Sequence, residues 1–470
     1  MSDTIQLTIN GKSAAGAAGQ FDVINPATEL SVAQAPLASV AQLDEAVAAA
    51  GTAFKTWQHS SHEQRQTLIH RIADTIEQHA DELAEIIVQE QGKPLFLANI
   101  EVQGALAWTR YTADLDIPVE VIEDSPNKRI ENHRKPLGVV ASITPWNWPL
   151  MIAIWHIIPA LRSGNTVVCK PSGLTPLNTL RLVELMNEVL PAGVVNIVTG
   201  EAEIGNAISA HQGIQKVVFT GSTATGQRIM ESAASNLKRL TLELGGNDAA
   251  IVLPGADIDA IAEGLFQTSF LNMGQTCACL KRLYVHESQY QAVCDKLVEL
   301  AQAQTIGDGM AAATTFGPVQ NANQLRIVSE LVDDAAVNGG KILCGGEALS
   351  GNGYFYPPTI VANVSNGIRL VDEEQFGPAL PVIAYSDIDD AIRMANDCSV
   401  GLGGSVWGKD PDAAQQVASQ LECGTVWING HAEVLPHAPF GGCKMSGFGV
   451  EFGLDGLLEY TRPQIININK

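Results

Sequence analysis

Four short apolar segments between residues 136 and 242 decide the fold: Val139-Val-Ala-Ser-Ile143, Thr166-Val-Val-Cys169, Val194-Val-Asn-Ile-Val198 and Lys216-Val-Val-Phe219. Each is rich in β-branched residues and has the length of a buried strand. The segments between them, such as 180–189, carry apolar residues at helical spacing. This alternation of strands and helices predicts a parallel, doubly wound α/β sheet.

The flanking sequence extends this pattern. Residues 4–24 predict short strands around the turn Asn10-Gly11, and residues 40–115 predict a helical region. After Gly245 a second alternating region begins, with strands predicted at 249–253, 283–285 and 382–384. The segment 464–469 alternates like an edge strand, a kind of strand that often pairs with another subunit.

Length and charge restrict the class of protein. A chain of 470 residues predicts two or three domains. The formal net charge of −23 repels nucleic acid and anionic membranes, so neither is an expected partner. The eight cysteines are scattered, and the N-terminus lacks the basic start and apolar run of a signal peptide. We therefore expect a soluble protein of the reducing cytoplasm.

Two segments of unusual composition suggest covalent chemistry. Asn272-Met-Gly-Gln-Thr-Cys277-Ala-Cys279 places a cysteine in a run too polar for plain core. Leu242-Glu243-Leu-Gly-Gly-Asn247 places a lone carboxylate in an apolar run, followed by two glycines. A thiol nucleophile and a general base in one chain suggest catalysis at a carbonyl carbon. Neither segment is decisive alone, because a buried cysteine is usually a small packing residue.

Further motifs give these segments a context. The full series is Thr144-Pro-Trp-Asn-Trp-Pro149, Phe219-Thr-Gly-Ser-Thr-Ala-Thr-Gly226, Glu243-Leu-Gly-Gly246, Gly274-Gln-Thr-Cys277, Glu374-Gln-Phe-Gly-Pro378 and Pro439-Phe-Gly-Gly-Cys-Lys-Met-Ser-Gly447. In this order and spacing, the chain resembles the NAD(P)-dependent aldehyde dehydrogenase superfamily over essentially its whole length.

The resemblance implies a fold and a domain division. We expect a Rossmann-like cofactor domain, an α/β catalytic domain and a small β extension for oligomerisation. Residues 1–115 and 137–243 would form the NAD(P)-binding domain, residues 244–445 the catalytic domain, and residues 116–136 and 446–470 the oligomerisation and bridging segments. Catalysis would occur in the cleft between the two larger domains of a homodimer or homotetramer.

Three residues would carry the reaction by this resemblance. Cys277 is implied as the nucleophile, and Asn147 as a donor to the developing oxyanion. Glu243 is implied as the base that activates water, and its apolar neighbours predict a raised pKa. The competing interpretations are an inert buried thiol, a turn-stabilising asparagine and a surface-facing glutamate.

The resemblance also implies a cofactor site. The segment Gly221 to Gly226 follows a predicted strand and opens a predicted helix, whose free N–H groups would face a pyrophosphate. By spacing alone this signal is weak. The implied cofactor-binding residues are Thr144, Pro145, Trp146, Lys170, Ser172, Gly173, Gly221, Ser222, Gly226, Leu244, Glu374 and Phe376.

Gly173 bears on which cofactor is used. NAD-preferring members of the family usually carry glutamate at the corresponding position. A carboxylate there would repel a 2′-phosphate, whereas glycine leaves space and no charge, and Lys170 and Ser172 could contact the phosphate. We therefore expect NAD or NADP as cofactor, with NADP accepted.

The positions that line the aldehyde pocket in the family are apolar in this chain. They are Trp148, Met151, Ile152, Trp155, Leu271, Ala278, Val434 and Phe440. An apolar lining favours an uncharged aromatic or aliphatic aldehyde. Succinate-semialdehyde members carry arginine at the position of Leu271, which argues against that substrate. Nearby, His431, Glu433 and His437 are interpreted as solvated loop residues.

Several alternatives remain at this point. The function could be that of a coenzyme A-acylating or a succinate-semialdehyde dehydrogenase, although acylating members generally lack the carboxylate found at Glu243. A non-catalytic descendant should have lost Cys277, Asn147 or Glu243, and all three remain. Cys279 could form a strained regulatory disulfide with Cys277 or could simply pack. The sequence shows no metal-ligand spacing, so no metal is expected.

Overall fold

Two hairpins open the chain. The computed structural model describes residues 5–470, where β1 (Leu7–Ile9) pairs with β2 (Lys12–Ala14) and β3 (Gly19–Ile24) pairs with β4 (Ser31–Leu37). Asn10 and Gly11 have φ values of 53° and 71°, the left-handed backbone that a tight Asn-Gly turn requires. The predicted short strands are confirmed, apart from residue 4, which lies outside the described residues.

Four helices confirm the predicted helical region. They are α1 (Val40–Trp57), α2 (His62–Gln78), α3 (Ala80–Gln91) and α4 (Leu95–Asp114). Capping boxes of Ser39 with Gln42 and of Ser61 with Gln64 satisfy the first N–H groups of α1 and α2. Helix α3 ends at Gly92, whose φ of 94° suits glycine alone. A hairpin of β5 (Glu120–Asp124) and β6 (Lys128–Pro136) follows.

A parallel sheet forms next, as predicted. Its elements are β7 (Val139–Ile143), α5 (Pro149–Arg162), β8 (Thr166–Lys170), α6 (Leu177–Val189), β9 (Val195–Ile197), α7 (Ala202–Ala210), β10 (Lys216–Thr220), α8 (Thr223–Ala233) and β11 (Arg239–Glu243). The parallel strands lie in the order β9-β8-β7-β10-β11. Strands β7 to β10 are buried along their whole length, as expected for a parallel sheet covered on both faces.

A second, mostly parallel sheet follows. Its region contains β12 (Asp248–Val252), α9 (Ile258–Phe270), β13 (Leu280–His286), α10 (Tyr290–Gln302), α11 (Ala322–Val337), β14 (Lys341–Cys344), β15 (Thr359–Ala362), α12 (Arg369–Asp372), β16 (Ala379–Tyr385), α13 (Ile388–Asn396), β17 (Val400–Gly401), β18 (Gly403–Trp407), α14 (Pro411–Ala418) and β19 (Thr425–Ile428). The sheet order is β14-β15-β16-β13-β12-β18-β19. The strands predicted at 249–253, 283–285 and 382–384 correspond to β12, β13 and β16.

The C-terminal segment reaches three different sheets. It contains β20 (Cys443–Lys444), β21 (Gly447–Phe448), α15 (Gly453–Leu458) and β22 (Thr461–Asn469). Strand β20 pairs with β17, β21 pairs with β11 in the first sheet, and β22 pairs with β6 in a sheet ordered β22-β6-β5. The predicted strand at 464–469 is therefore confirmed as an edge strand, whereas its pairing with another subunit and the domain division stay predictions.

Separate hydrophobic cores stabilise the two large sheets. One core packs α1 to α6 against the first sheet, and two others lie against the second sheet. Within residues 5–470, no helix has both the length and the apolar character that a membrane crossing would need.

Asn165 connects the first sheet to the C-terminal segment. Its buried side-chain oxygen accepts hydrogen bonds from the N–H groups of Leu137 (2.6 Å) and Gly138 (2.9 Å). Its amide nitrogen donates to the Tyr460 carbonyl at 2.9 Å. One side chain thus satisfies backbone groups at the start of β7 and at the start of β22.

We expect Asn165→Leu to destabilise the fold, because it leaves these buried backbone groups without partners. The expected loss is roughly 2–5 kcal/mol in the free energy of unfolding. Chemical denaturation followed by tryptophan fluorescence measures it. Asn323→Leu, at an exposed position, is the control and should change stability by less than about 0.5 kcal/mol. Equal denaturation midpoints for both variants would contradict this role of Asn165.

Candidate active site

The two large sheets meet through a short connection between β11 and β12. Glu243 ends β11, and Leu244 to Asn247 lead directly into β12. Gly246 lies against the carbonyl oxygen of Cys277, so closely that a Cβ atom on residue 246 would collide with it. Glycine is therefore required here, and it brings the end of the strand that carries Glu243 against the loop that carries Cys277.

The loop before Cys277 has a strained backbone. Asn272, Met273 and Gly274 have φ values of 53°, 56° and 73°, three consecutive left-handed residues. Left-handed backbone is unfavourable for a residue such as methionine and persists when the surroundings hold it. Here the buried ammonium of Lys281 donates a hydrogen bond to the Gly274 carbonyl, and the Gln275 side chain accepts one from the Gln320 N–H at 2.9 Å.

The thiol of Cys277 is half-buried and lies among acidic groups. Burial raises the pKa of Cys277 well above its ordinary value, and the charges of Asp248, Glu374 and Glu243 raise it further. In the absence of ligand the sulfur is therefore protonated at neutral pH. A raised pKa does not by itself make Cys277 an inert thiol, because its side chain lines a cavity.

Asn147 and Trp148 connect the turn after β7 with the cysteine loop. The Asn147 amide nitrogen donates to the Gln275 carbonyl at 2.9 Å, and the Trp148 indole donates to the Thr276 hydroxyl at 2.8 Å. Both residues are buried. The Asn147 side chain therefore reaches the segment immediately before Cys277 rather than stabilising its own turn.

Glu243 is 5% exposed, so the interpretation as a surface-facing glutamate is wrong. Within the described residues, neither of its carboxylate oxygens has a hydrogen-bond partner. Burial raises its pKa well above the ordinary value, and the charge of Glu451 raises it further, which confirms the predicted direction. Burial and the neighbouring negative charge both favour the protonated form of this carboxyl group, and its ionised form is a correspondingly stronger base.

Sequence reasoning missed Glu451 and the histidine that accompanies it. His156 is fully buried, with Nε2 at 3.2 Å from a Glu451 oxygen and at 3.0 Å from the Thr220 hydroxyl. Its Nδ1 is 3.1 Å from the Ser142 hydroxyl. A signal existed, because Glu451 stands between Val450 and Phe452 in the same way that Glu243 stands between leucines.

A cavity of about 230 Å³ opens on Cys277 from the side of the first sheet. It is lined by Pro145, Trp146, Asn147, Thr220, Gly221, Ser222, Leu244, Gly245, Cys277, Gln324, Ile327, Glu374 and Phe376. Many of the residues predicted to bind the cofactor therefore lie together, and Thr220, Gly245, Gln324 and Ile327 were not predicted. Ser222 occupies the N-cap position of α8 without a side-chain capping bond, and the segment opens a helix as predicted, so the N-terminus of α8 borders the cavity.

Other predicted cofactor residues lie outside the lining of this cavity. Lys170 ends β8, and burial lowers its pKa to about 8, whereas the charge of Glu201 acts in the opposite direction. The Thr144 N–H donates to the Lys170 carbonyl at 3.1 Å. Gly173, near Ser172, has room for a side chain, since an added Cβ would be 3.8 Å from the Phe21 ring. Gly226 instead packs under Leu244, where an added Cβ would clash.

All eight predicted pocket residues fall into two adjoining apolar clusters that share Trp155. One cluster contains Cys277 itself with Ala278, Val434 and Phe440, and the other contains Trp148, Met151, Ile152 and Leu271. Sequence reasoning missed five members: Leu97, Trp108, Leu402, Trp427 and Phe452. The spacing of Leu97, Glu101 and Trp108 along one face of α4 was the available signal.

Aromatic rings form one wall of these clusters. The ring centroids of Trp108 and Trp155 are 5.5 Å apart, and Phe452 lies at 5.4 Å and 4.7 Å from them. Phe440 stacks on Phe452 at 6.2 Å. These are the separations of attractive aromatic pairs, so the wall is a rigid apolar surface beside the thiol.

The residues flanking Val434 differ in their surroundings. Glu433 and His437 are exposed, as predicted, but the interpretation of His431 as a solvated residue is wrong. His431 is buried, with Nδ1 at 2.9 Å from the Ser405 hydroxyl and Nε2 at 3.5 Å from Asp248.

Cys279 is also buried, and its thiol donates to the Leu271 carbonyl at 3.5 Å. Both Cys279 and Cys277 are free thiols in this structure, and the alternatives of a regulatory disulfide and of a packing role for Cys279 both stay open.

The raised pKa of Cys277 predicts slow alkylation of the unliganded protein. Because the thiolate fraction grows with pH below the pKa, the rate of labelling by iodoacetamide should rise about tenfold per pH unit between pH 7 and 9. Glu374→Gln removes one of the negative charges and should accelerate labelling at each pH. Mass spectrometry measures the rate, with Cys277→Ala identifying the site, and a plateau already reached at pH 7 would contradict the prediction.

Comparisons with known proteins give this site its context. The sequence profile described as "Aldehyde dehydrogenase family" matches residues 13–466. The chain is 39% identical to a phenylacetaldehyde dehydrogenase of Pseudomonas fluorescens over 95% of its own length and 92% of that protein. It is 38% identical to human retinaldehyde dehydrogenase 3, over 96% of its length and 90% of that protein.

Solved structures agree with the sequence relatives. The NAD+ complex of an aldehyde dehydrogenase from Bacillus cereus matches with a TM-score of 0.97 and 37% identity, covering 99% of this chain and 97% of that chain. Betaine aldehyde dehydrogenase from Staphylococcus aureus with NAD+ matches with a TM-score of 0.96 and 33% identity, covering 99% and 95%. The predicted family and fold are confirmed: the chain belongs to the aldehyde dehydrogenase family and oxidises an aldehyde to the carboxylic acid with a nicotinamide dinucleotide.

Proposed function

We propose that this enzyme acts best on uncharged aromatic aldehydes and also accepts aliphatic ones. The observation that carries the proposal is the wall formed by Trp108, Trp155 and Phe452 in the apolar clusters that contain Cys277. Flat apolar surfaces complement an aryl ring, and burying a ring against them is favourable. The cation beside these clusters, the Lys93 ammonium against the Trp148 ring, is already paired with Glu101, so a second carboxylate on the substrate would find no free counter-charge in it.

The catalytic roles follow from chemistry at one thiol. The Cys277 sulfur, once its proton has been lost, attacks the aldehyde carbon and forms a thiohemiacetal. The negative charge that develops on the aldehyde oxygen is stabilised by the Asn147 amide and by the Cys277 N–H. A bound dinucleotide would supply the hydride acceptor that is needed for this adduct to become a thioester. Both donors must face the reacting oxygen. For the Asn147 amide, the prolines on either side of the Trp-Asn-Trp segment restrict the backbone that carries it.

Glu243 completes the cycle as general base. It takes a proton from water, the resulting hydroxide attacks the thioester, and the Cys277 thiolate leaves as the carboxylic acid is released. Its buried, unpartnered carboxyl group and its raised pKa support this role. Glu451 is close enough to raise that pKa and would set the pH at which the base ionises.

The residues around the cavity fit a nicotinamide dinucleotide. Gly221, Ser222 and the N-terminus of α8 would hold the pyrophosphate, because glycine allows close approach and the N–H groups of a helix start attract anions. Glu374 and Phe376 would hold the nicotinamide ribose. Lys170 and Ser172 would hold the adenosine ribose, with Thr144, Pro145, Trp146 and Leu244 enclosing the cofactor and Gly226 allowing α8 to pack closely.

NADP is proposed as an accepted cofactor beside NAD. Gly173 leaves space and no charge where a 2′-phosphate would lie, and Lys170 supplies a cation. The negative charge of Glu201 acts on Lys170 and would repel a 2′-phosphate bound there. The sequence analysis did not predict this residue. The balance between these charges sets the preference.

Assembly and location extend the proposal. The exposed isoleucines Ile465, Ile466 and Ile468 on β22 support a homodimer or homotetramer in which this sheet pairs with another subunit. In this division, 1–115 with 137–243 binds the cofactor, 244–445 carries the nucleophile, and 116–136 with 446–470 bridges subunits, although β21 contributes to the first sheet. The eight cysteines, all of them free thiols, support a location in the reducing cytoplasm.

A substrate series tests the proposal directly. Without coenzyme A, NAD(P)H formation should be fastest with benzaldehyde, slower with hexanal, and at least about tenfold lower in kcat/KM with succinate semialdehyde and betaine aldehyde. Trp108→Leu should raise the KM for benzaldehyde more than that for hexanal, because it removes an aromatic contact. Equal effects on both aldehydes, or a preference for the charged substrates, would refute the substrate class.

Gly173→Glu tests the cofactor assignment. Added negative charge should lower kcat/KM for NADP+ by about tenfold or more and leave that for NAD+ within about threefold, because repulsion acts on the 2′-phosphate. Glu201→Gln should change the ratio in the opposite direction. Initial rates with each cofactor give the answer, and if the wild-type enzyme turns over with NAD+ but never with NADP+, the interpretation of Gly173 is wrong.

A further inference from the structure

A fully buried ion pair lies behind the aldehyde pocket. The Lys93 ammonium is 2.6 Å from a Glu101 carboxylate oxygen, and both side chains are 0% exposed. Lys93 follows the end of α3, and Glu101 lies in α4. Two charges are costly to remove from water, and such a pair persists only when further hydrogen bonds satisfy it. The roles proposed for the catalytic and cofactor residues use neither group.

The further hydrogen bonds of this pair go to the segment that carries Asn147. The Lys93 ammonium donates to the Asn147 carbonyl at 2.9 Å and lies 3.6 Å from the centroid of the Trp148 ring. The second Glu101 oxygen accepts from the N–H groups of Leu150 at 2.9 Å and Met151 at 3.2 Å. The cation thus holds the residue that supplies the amide, while the anion caps the first turn of α5.

The same backbone is tied to the cysteine loop from its other side. The Asn272 amide donates to the Asn147 carbonyl at 2.8 Å, so this oxygen accepts from both Asn272 and Lys93. Burial lowers the pKa of Lys93 to about 8, and Glu101 opposes this effect, so the amine remains protonated at pH 7. A charged donor forms a stronger hydrogen bond than the neutral amide of Asn272 can.

We infer that Lys93 and Glu101 are positioning residues that hold the Asn147 amide where the oxyanion forms. The inference rests on the proposed role of Asn147. Lys93 pins its carbonyl, Glu101 fixes the helix that follows, and the side chain between these two anchors has little freedom. Displacement of a catalytic group by about 1 Å can reduce a rate about a hundredfold, so both anchors matter to the reaction as well as to the fold.

The test uses a reaction that needs no dinucleotide. With 4-nitrophenyl acetate, the Cys277 thiolate attacks the ester carbonyl, a tetrahedral oxyanion forms, and 4-nitrophenolate leaves as the sulfur becomes acetylated. Water then hydrolyses the thioester and releases acetate. The burst of nitrophenolate reports formation of the oxyanion at Cys277, and intact-protein mass spectrometry reports the acetyl group.

Lys93→Met should reduce the burst rate by about ten- to a hundredfold, with Asn147→Ala reducing it at least as far. If Lys93 acts through Asn147, adding Lys93→Met to Asn147→Ala should lower the rate no further, whereas independent effects would multiply. The matched control is Lys216→Met, which also removes a buried lysine beside an aromatic ring. Lys216 begins β10, whereas the cavity lies at the other end of this strand, where Thr220 lines it. It should leave the burst rate within about twofold.

A second variant separates position from stability. Lys93→Met alone leaves the Glu101 charge buried without its partner, so its denaturation midpoint should fall. Adding Glu101→Gln removes that charge, and the midpoint should recover while the burst stays slow. Recovery of the rate together with the midpoint would mean that the pair serves stability alone.

The outcomes distinguish the inference from the proposed function. A normal burst in Asn147→Ala would overturn the role of Asn147 itself. A slow burst in Asn147→Ala with a normal burst in folded Lys93→Met, or multiplied effects in the double variant, would overturn the inference and leave the proposed function intact. A slow burst in Lys93→Met with no further loss in the double variant, against an unaffected Lys216→Met, supports it.

Discussion

The close approach of Gly246 to the Cys277 carbonyl is the constraint on which the rest of the site depends. A single Cβ atom at residue 246 would separate the connection between β11 and β12 from the cysteine loop. Because this connection is only a few residues long, contact at Gly246 also determines where Glu243 lies. The left-handed backbone from Asn272 to Gly274 curves the loop to meet it. The strain of that curve is offset by buried polar contacts from Lys281 and Gln320.

The electrostatics of the site follow from the same close packing. Burial raises the pKa of Cys277, of Glu243 and, to about 7, of Glu374. Each negative charge there makes ionisation of the others more difficult, so the unliganded centre favours neutral forms of its acids. A neutral, partly apolar centre suits an uncharged substrate. The positive charge of Lys93 lies behind this centre, bound to backbone and to Glu101, where it orders the Asn147 segment without pairing with the thiol.

Much of this could be predicted from the chain because its signals are local. The parallel strands were identifiable from short β-branched runs, and Cys277, Asn147 and Glu243 from motifs whose order is specific. The sequence analysis did not predict Trp108, Phe452 and Glu451 as members of the site, although each has a weak local signal. Trp108 lies on a helix face that could have packed anywhere, and Glu451 approaches Glu243 only in the fold, where β21 pairs with β11 and Glu451 bridges to Phe440. His431 was misjudged because a loop position gives no indication of burial against Asp248.

The sequence by itself determined the parallel α/β architecture, the family resemblance and the candidates for the reactive side chains, since these depend on residue type and spacing along the chain. Tertiary structure decided which groups share a pocket, which carboxyl groups are buried together and which charge anchors the Asn147 carbonyl. The physical reason is that pKa values, cavity walls and ion pairs depend on distances between segments far apart in sequence. Lys93 is the plainest case: it is an ordinary lysine in the sequence and a buried neighbour of the reaction centre in the fold.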